Sequence, residues 1–453
     1  MVPESLEAKL SRYASPLEMM RTAPAVKYIM PLATEYTNWR DEQQAWKTTA
    51  VMFDQSHHMT DFYFEGPDVQ RLFDEIGVAS MATFGKNRAK QFLAVNHQGQ
   101  VIADAILFGF SDTKYALVGT PVAPYWMAYH AETGGYDVEV TRDERSLVNP
   151  NGRLTFRYQL NGPLAQQIVE KAHGGALEHI PFFRMGEFEL AGVPVRALNH
   201  TMAGVPGAEM TGLEIVGPAE HGAKIKDLLV NAGAEFGMRQ GGVLSYTSTI
   251  FESGWIPSPL PAVYLDPALK PYREWLSSFS LEGFASIGGS FVSDDLNDYH
   301  QTPWDLGYGR LVKLDHDFLG RDALASKIEQ PQKKKVWLHW NREDVARVMR
   351  TSLYGDASGA RTKSLDLPIT SWIHFEFDAV MKGDRTVGVS TYAGYTVNIG
   401  DIVSLAMIEE KEAVDGTEVV IRWGDADGGK TKLFVEPHVE TEIRATLRTN
   451  PPV

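Results

Sequence analysis

The stretch Asp61–Gly77, DFYFEGPDVQRLFDEIG, alternates apolar and polar residues, breaks at Gly66-Pro67, and then changes period. Val69, Leu72, Phe73 and Ile76 fall at i, i+3, i+4 and i+7, which is one buried face of a helix. A strand, a Gly-Pro corner and an amphipathic helix therefore follow one another in a single short run. The pattern recurs at Arg157–Gly175 (RYQLNGPLAQQIVEKAHGG) and at Leu213–Gly233 (LEIVGPAEHGAKIKDLLVNAG). Leu164, Ile168 and Val169 take the helical positions in the second copy, and Ile225, Leu228 and Leu229 in the third. Proline just inside a helix start costs no hydrogen bond, and a following glycine suits a C-cap, so each helix is expected to open at its proline and close on glycine. The copies are unevenly spaced, which excludes a solenoid. Helices packed on one face of mainly antiparallel sheets make an α+β architecture.

Downstream the texture changes. Lys327–Val336 (KIEQPQKKKV) is polar and interrupted by Pro331, as a linker is. Beyond it KKVWLHW, AVMKGDRTVGVSTYAGYTV, GDIVSLAMI, GTEVVIRW and TKLFVEPH read as short strands between Gly/Asp turns, with one helical piece near Asp344–Leu353. That is the pattern of a separate small β-barrel or sandwich. At 453 residues the chain exceeds one ordinary core, and two or three domains are expected.

Composition narrows the function. Hydrophobic residues are 43% and charged residues 22%, ordinary for a globular protein. No apolar run is long enough to span a membrane, and the N-terminus is charged throughout, unlike a signal peptide, so a cytoplasmic location is expected. Cysteine is absent, which rules out disulfides, thiolate metal sites and thiol nucleophiles. A net charge of −15 argues against nucleic acid as a partner.

Generic catalytic motifs do not explain the chain. No GxGxxG opens a helix, no HExxH or GxSxG occurs, and Gly85-Lys86-Asn87 lacks the glycine spacing and hydroxyl of a P-loop. Four features remain. His57-His58 in VMFDQSHHMTDFYF makes a poor metal pair, because neighbours on a strand point to opposite faces. It is either one functional imidazole suited to proton handling or a structural pair. Glu214 points away from the core if Leu213 and Ile215 face it. There it is either a solvated strand charge or a carboxylate for an amino-pyrimidine edge, admitted by the turn Met210-Thr211-Gly212. Tyr246–Trp255 (YTSTIFESGW), followed by Pro257, Pro259 and Pro261, reads as neither strand nor regular helix. It is either a rigid crossing or a pocket wall.

TGLEIVGP, Tyr246…FESGW and GYGRLVKLDHDFLGRDAL resemble the glycine-cleavage T-protein family and its folate-dependent relatives. NWRDEQQAWK, FDQSHHM, GWIPSPLPA, YREWL, IGGSFVS and the C-terminal VEPH resemble, more finely, tetrahydrofolate-dependent aryl O-demethylases acting on lignin-derived vanillate and syringate. The likeness runs from about Met20 to about Thr446. It implies a three-domain cloverleaf, with residues 1–60 and 155–250 forming a folate-binding domain. Residues 61–154 and 251–328 would form a ferredoxin-like domain, and 333–453 a C-terminal β-barrel. It implies tetrahydrofolate as methyl acceptor, a small aromatic methoxy acid as substrate, and no obligate protein partner.

Carried over by position, the resemblance makes Tyr246 the catalytic tyrosine and His58 an active-site histidine. Gln55, Glu214 and Trp255 become folate contacts. Two positions depart from the vanillate-type pattern. Met30 stands before Pro31 where a second tyrosine is found, and Thr120 stands in Val118–Pro121 where an arginine meets the substrate carboxylate. The change makes room and removes a charge, which favours syringate over vanillate or 3-O-methylgallate. Ser286, Arg88 and Arg310 are the candidates for the lost clamp. An aminomethyltransferase, or a folate-binding protein without catalysis, is the rival on the same fold.

Overall fold

The computed structural model describes residues 3–25, 29–203, 210–257, 259–330, 332–370 and 375–451. Pro331 of the expected linker and Ser258 of the proline-rich segment lie outside them. Two open sheets and a barrel organise the chain. The first sheet has six strands in the order Arg239–Gly241, Val51–Asp54, Thr155–Asn161, Gly212–Pro218, Val193–Asn199, Met185–Leu190. Only its first pair is parallel. Helices Ala165–His173 and Gly222–Ala234 cover one face, burying Ile168, Val169, Ile225 and Leu229 against Leu160, Leu213 and Ile215. The opposite face is the unusual one. Phe53, Gln159 and Glu214 lie directly across from one another, with Asn161 and Arg157 one step to either side.

The second sheet runs Arg88–Val95, Val101–Gly109, Lys114–Gly119, Thr60–Glu65, Glu139–Asp143, all antiparallel. Helices Val69–Ile76 and Val122–Thr133 pack on it, and the expected face of Val69, Leu72, Phe73 and Ile76 is buried. The six strands Lys333–Trp340, Asp401–Glu409, Arg385–Thr396, Asp378–Lys382, Glu418–Trp423 and Thr441–Arg448 close into a barrel. Helix Arg342–Tyr354 answers to the helical piece anticipated there.

Local details differ from the sequence expectation. None of the three prolines opens an α-helix. Pro67 and Pro163 lie just before the caps Asp68 and Leu164, and a 3-10 turn (Ala219–His221) separates Pro218 from its helix. The corner is a turn of its own, completed before helical hydrogen bonding begins. Gly174 closes its helix in the left-handed conformation, but Gly77 is extended, and the third helix runs through Gly233 to Ala234. TKLFVEPH is not a strand. It is a turn-rich excursion exposing Leu433 and Phe434, and the sixth barrel strand is Thr441–Arg448. Gly424–Thr431 (GDADGGKT) carries a P-loop spacing that the sequence reading leaves out. It opens no helix, and the N–H groups of Gly429 and Thr431 are already given to the Asp427 carboxylate.

The segment expected to be irregular is helical. Val243–Ser248 and Ile250–Ser253 are consecutive short helices joined at Thr249. Ser248 and Thr249 hydroxyls donate back to the carbonyls of Ser245 (2.7 Å) and Tyr246 (2.9 Å), which lets polar residues lie buried in a helix. Glu252, also buried, accepts from Trp46 Nε1 (2.9 Å), Thr396 Oγ1 (2.8 Å) and Asn398 Nδ2 (3.0 Å), tying this segment to the barrel. Trp337 of the barrel donates to the carbonyl of Phe251 at 2.8 Å. Gly254 ends the segment at φ +69°, where a Cβ would stand 2.2 Å from the Trp337 ring.

Gly254→Ala should therefore destabilise the protein by about 1–3 kcal/mol or more, through left-handed strain and displacement of Trp337. Calorimetric melting would show it, and an unchanged Tm would mean that the barrel is not seated on this glycine.

Candidate active site

Residues 55–59 connect strand Val51–Asp54 of the first sheet to strand Thr60–Glu65 of the second, so side chains here lie where the two meet. His57 and His58 sit on a turn rather than a strand, and they still diverge. His57 Nδ1 meets Ser146 Oγ at 2.9 Å, whereas His58 Nε2 meets Tyr246 Oη at 3.0 Å. No group of three or more metal-ligating side chains occurs among the described residues. The His58 and Tyr246 rings are edge to face, 4.8 Å between centroids, and both side chains are buried. Met30, Phe53, Trp46 and Ala203 complete an apolar cluster around Tyr246.

Burial holds the His58 pKa down to about 4, outweighing the carboxylates of Asp54 and Asp61. The imidazole is thus neutral at neutral pH. With its proton on Nδ1 it accepts from the Tyr246 hydroxyl, and with the proton on Nε2 it donates and releases that hydroxyl's hydrogen to a third group. A phenol held by a neutral imidazole is a proton donor with a built-in route for reprotonation.

Glu214 does point away from Leu213 and Ile215, but toward a buried ion pair rather than solvent. Arg157 Nη1 and His200 Nε2 each engage one of its oxygens. Burial works to raise the Glu214 pKa, and Arg157 and His200 overcome it, bringing the carboxyl down to about 2. Arg157 also donates to Asp61 Oδ2 at 2.8 Å and lies over the Phe108 ring at 4.9 Å. A ligand would find one remaining lone pair on each Glu214 oxygen.

Among the described residues, the buried polar atoms near this face without a hydrogen-bond partner include Gln55 Oε1, Gln159 Oε1 and Asn161 Nδ2. Two acceptors and one donor suit a heterocycle edge that itself mixes N–H donors with acceptors, as a pterin does. The folate implied by the resemblance fits these residues. Gln55 is otherwise anchored, its Nε2 donating to Met202 Sδ at 2.7 Å.

Trp255 lies in a separate cluster. Its Nε1 donates to Asp104 Oδ2 at 2.9 Å, alongside Tyr308 Oη (2.8 Å) and Gln91 Nε2 (2.7 Å). Burial raises the Asp104 pKa and lowers that of neighbouring Lys335 to about 8. Sequence reasoning missed Asp104. The available signal was one aspartate inside the otherwise apolar strand Val101–Gly109.

The residues expected to replace the carboxylate clamp are dispersed. Arg310 belongs with Lys335, and Arg88 lines a cavity shared with His173 and Arg184. Ser286 reaches a different cavity, of about 620 Å³, but its hydroxyl donates to Ala23 O (3.1 Å) and accepts from Lys432 Nζ (2.8 Å). Thr120 is half-buried in the bend between strand Lys114–Gly119 and helix Val122–Thr133, beside Pro121 of that cavity's wall.

Comparison with known proteins bears on the family and the fold. The family described as GCVT N-terminal domain matches residues 14–258. A syringate O-demethylase of Sphingobium sp. is 40% identical over 450 residues, covering 99% of this chain and 96% of that protein. A sesamin methylene transferase of Sinomonas sp. is 26% identical over 409 residues, covering 86% and 85%. The crystal structure of glycine cleavage system aminomethyltransferase T from Bartonella henselae superimposes with a TM-score of 0.61 at 17% identity, covering 97% of each chain. The cloverleaf α+β fold expected from the sequence is thereby established.

The depressed pKa of His58 has a signed consequence. An unfolded histidine titrates near about 6.5. Below that value the unfolded chain binds a proton that the folded site refuses until about pH 4. The stabilisation is therefore complete above about pH 6.5 and is lost as pH falls toward 4. Urea midpoints should drop between about pH 7 and about pH 5, and drop less in His58→Gln. An equal drop in the two proteins would show His58 to be solvated.

Proposed function

The chain belongs to the GCVT family, that of the glycine-cleavage T protein, and from this premise we propose that it O-demethylates a methoxybenzoate, syringate being favoured, with tetrahydrofolate as methyl acceptor. The observation that carries the reading is the buried Tyr246–His58 pair at 3.0 Å beside an apolar cluster that holds Met30. It is supported by the 40% identity to a syringate O-demethylase across nearly the whole chain.

An aryl methyl ether is a poor methyl donor because the departing phenolate is strongly basic. Tetrahydrofolate, when bound, supplies N5 as the nucleophile that accepts the methyl group. The protein's part is to hold donor and acceptor in line, which is worth several kcal/mol by positioning alone, and to offset charge on the ether oxygen. Tyr246 is assigned the hydrogen bond or proton to that oxygen, a phenol being matched in acidity to a departing phenol. His58, neutral, orients the Tyr246 hydroxyl and relays a proton to it, taking one up at Nδ1 as it gives one from Nε2. Gln55 and Glu214 are assigned to the pterin edge, with Gln159 and Asn161 beside them, and Trp255 to the folate wall. Met30 carries no proton to donate, so it shapes the space where the methoxy groups sit. Thr120 is assigned to the substrate side, where it brings no charge.

An aminomethyltransferase works on an arm presented by a carrier protein, so turnover of a free methoxybenzoate without a carrier separates the two activities. An anaerobic assay with syringate, vanillate or 3-O-methylgallate should yield 5-methyltetrahydrofolate, fastest with syringate. Tyr246→Phe should lose roughly 10²–10⁴-fold in kcat while folate binding is kept. Turnover near that of the wild type would remove Tyr246 as the acid. Gln55→Leu should raise the tetrahydrofolate Kd by about tenfold, and an unchanged titration would place the pterin elsewhere.

A further inference from the structure

We propose that Arg88 and Arg184 form a binding site for the phosphate group of a small phosphorylated molecule, on the seam of the two open sheets and apart from the Tyr246–His58 pair. The two arginines meet across that seam in an antiparallel bridge. Hydrogen bonds from Ala89 N to Phe183 O (3.2 Å) and from Met185 N to Asn87 O (3.0 Å) flank the pair and do not join it. In that register both side chains project to one side, from Cα atoms about 4.5 Å apart. Their neighbours settle which side. Ala89 and Met185 belong to the apolar cluster shared by the two sheets, with Leu198, and Leu198 lies directly across from both Met185 and Glu214. Alternation therefore turns Arg88 and Arg184 away from the Glu214 face, where they line a cavity of about 750 Å³.

Like charges directly opposite each other on paired strands destabilise the pairing. Acids to neutralise them are not scarce, since the chain carries 58 acidic against 43 basic side chains. Yet among the described residues no carboxylate pairs with either arginine, and Arg184 Nη1 meets only the carbonyl of Phe183, at 3.4 Å. Glu187 on the same wall is already shared by Lys86 (3.2 Å) and Arg196 (3.1 Å), and Glu178 is exposed. Both arginines are half-buried, so solvent screens their repulsion only in part. A phosphate ester brings nearly two negative charges and three acceptor oxygens, enough for two guanidinium forks, where one carboxylate satisfies a single fork. The rest of the wall suits the organic part of such a ligand. Leu177 and Phe188 supply apolar surface, and Asn87 Oδ1, buried and unpaired among the described residues, accepts a ligand hydroxyl.

The test is titration calorimetry and thermal melting of the full chain at low salt, with glycerol 3-phosphate as probe and malate as its carboxylate counterpart at equal ionic strength. Glycerol 3-phosphate should bind the wild type and raise its Tm, and malate should bind at least about tenfold more weakly. Arg88→Gln and Arg184→Gln should each raise the glycerol 3-phosphate Kd about 10- to 100-fold, with Arg88→Lys falling between. Without ligand, the glutamine variants should melt no lower than the wild type, because a repulsion has been removed. A lower Tm in both would show the arginines to be structural supports and overturn the proposal. So would a wild type that binds no glycerol 3-phosphate, malate binding as tight as the ester, or ester affinity unchanged in both glutamine variants.

Discussion

The buried guanidinium of Arg157 is the contact on which the geometry of the two open sheets depends. It rises from the first sheet, engages Glu214 on the neighbouring strand and donates across to Asp61 of the second sheet. Arg153 reinforces the crossing by pairing with Asp61 at 3.0 Å and Asp143 at 3.2 Å. Burial works against the charge of Arg157, and Asp61 with Glu214 more than offsets it, so its pKa stands above the ordinary value. An ion pair this deep is weak evidence of net stability, because desolvation consumes much of the Coulombic gain. Its effect is geometric. The pairing holds the sheets with their polar faces together, and the turn between Asp54 and Thr60 then has one place to go.

That turn carries Gln55 and His58, and the helical segment Val243–Ser253 brings Tyr246 to meet it. The segment is itself fixed from the other side by Glu252 and by Trp337 of the barrel. The His58–Tyr246 contact is therefore made by elements far apart in sequence, each secured by polar contacts that leave little freedom. Rigid support of this kind is what positional catalysis requires, since small displacements of reacting groups cost rate steeply.

Burial does chemical work at the same place. The dry surroundings that keep His58 uncharged leave it able to exchange a hydrogen bond with Tyr246 in either direction. The apolar ring around the pair is interrupted on one side by Gln55, Gln159 and Asn161, whose buried atoms, unpaired among the described residues, cost free energy unless something meets them. Apolar enclosure on one side and unmet hydrogen bonds on the other are the two demands of a reaction between a methoxyarene and a reduced pterin.

Much of the fold was written in local patterning. The three strand–Gly-Pro–helix runs, the buried helical faces and the shift to a β-rich tail all follow from periods of two and of 3.6 residues, which neighbours in sequence dictate. Local patterning erred where hydrogen bonding outweighed composition. Tyr246–Ser253 is helical because its hydroxyls bond back to the backbone and no proline falls before Pro257, and TKLFVEPH turns rather than pairing. Glu214 could be read as pointing away from the core, since alternation decides that alone. Its partners could not, because Arg157 and His200 come from the two strands flanking its own or their ends, and Asp61, which joins them through Arg157, comes from the other sheet. For the same reason Asp104 beside Trp255, and Ser146 beside His57, had no sequence signature as pairs. The sequence by itself determined the elements, the family likeness and the residue types available for proton transfer. The tertiary structure decided which of them touch and which are desolvated, because contact and dielectric depend on distance through space and not along the chain.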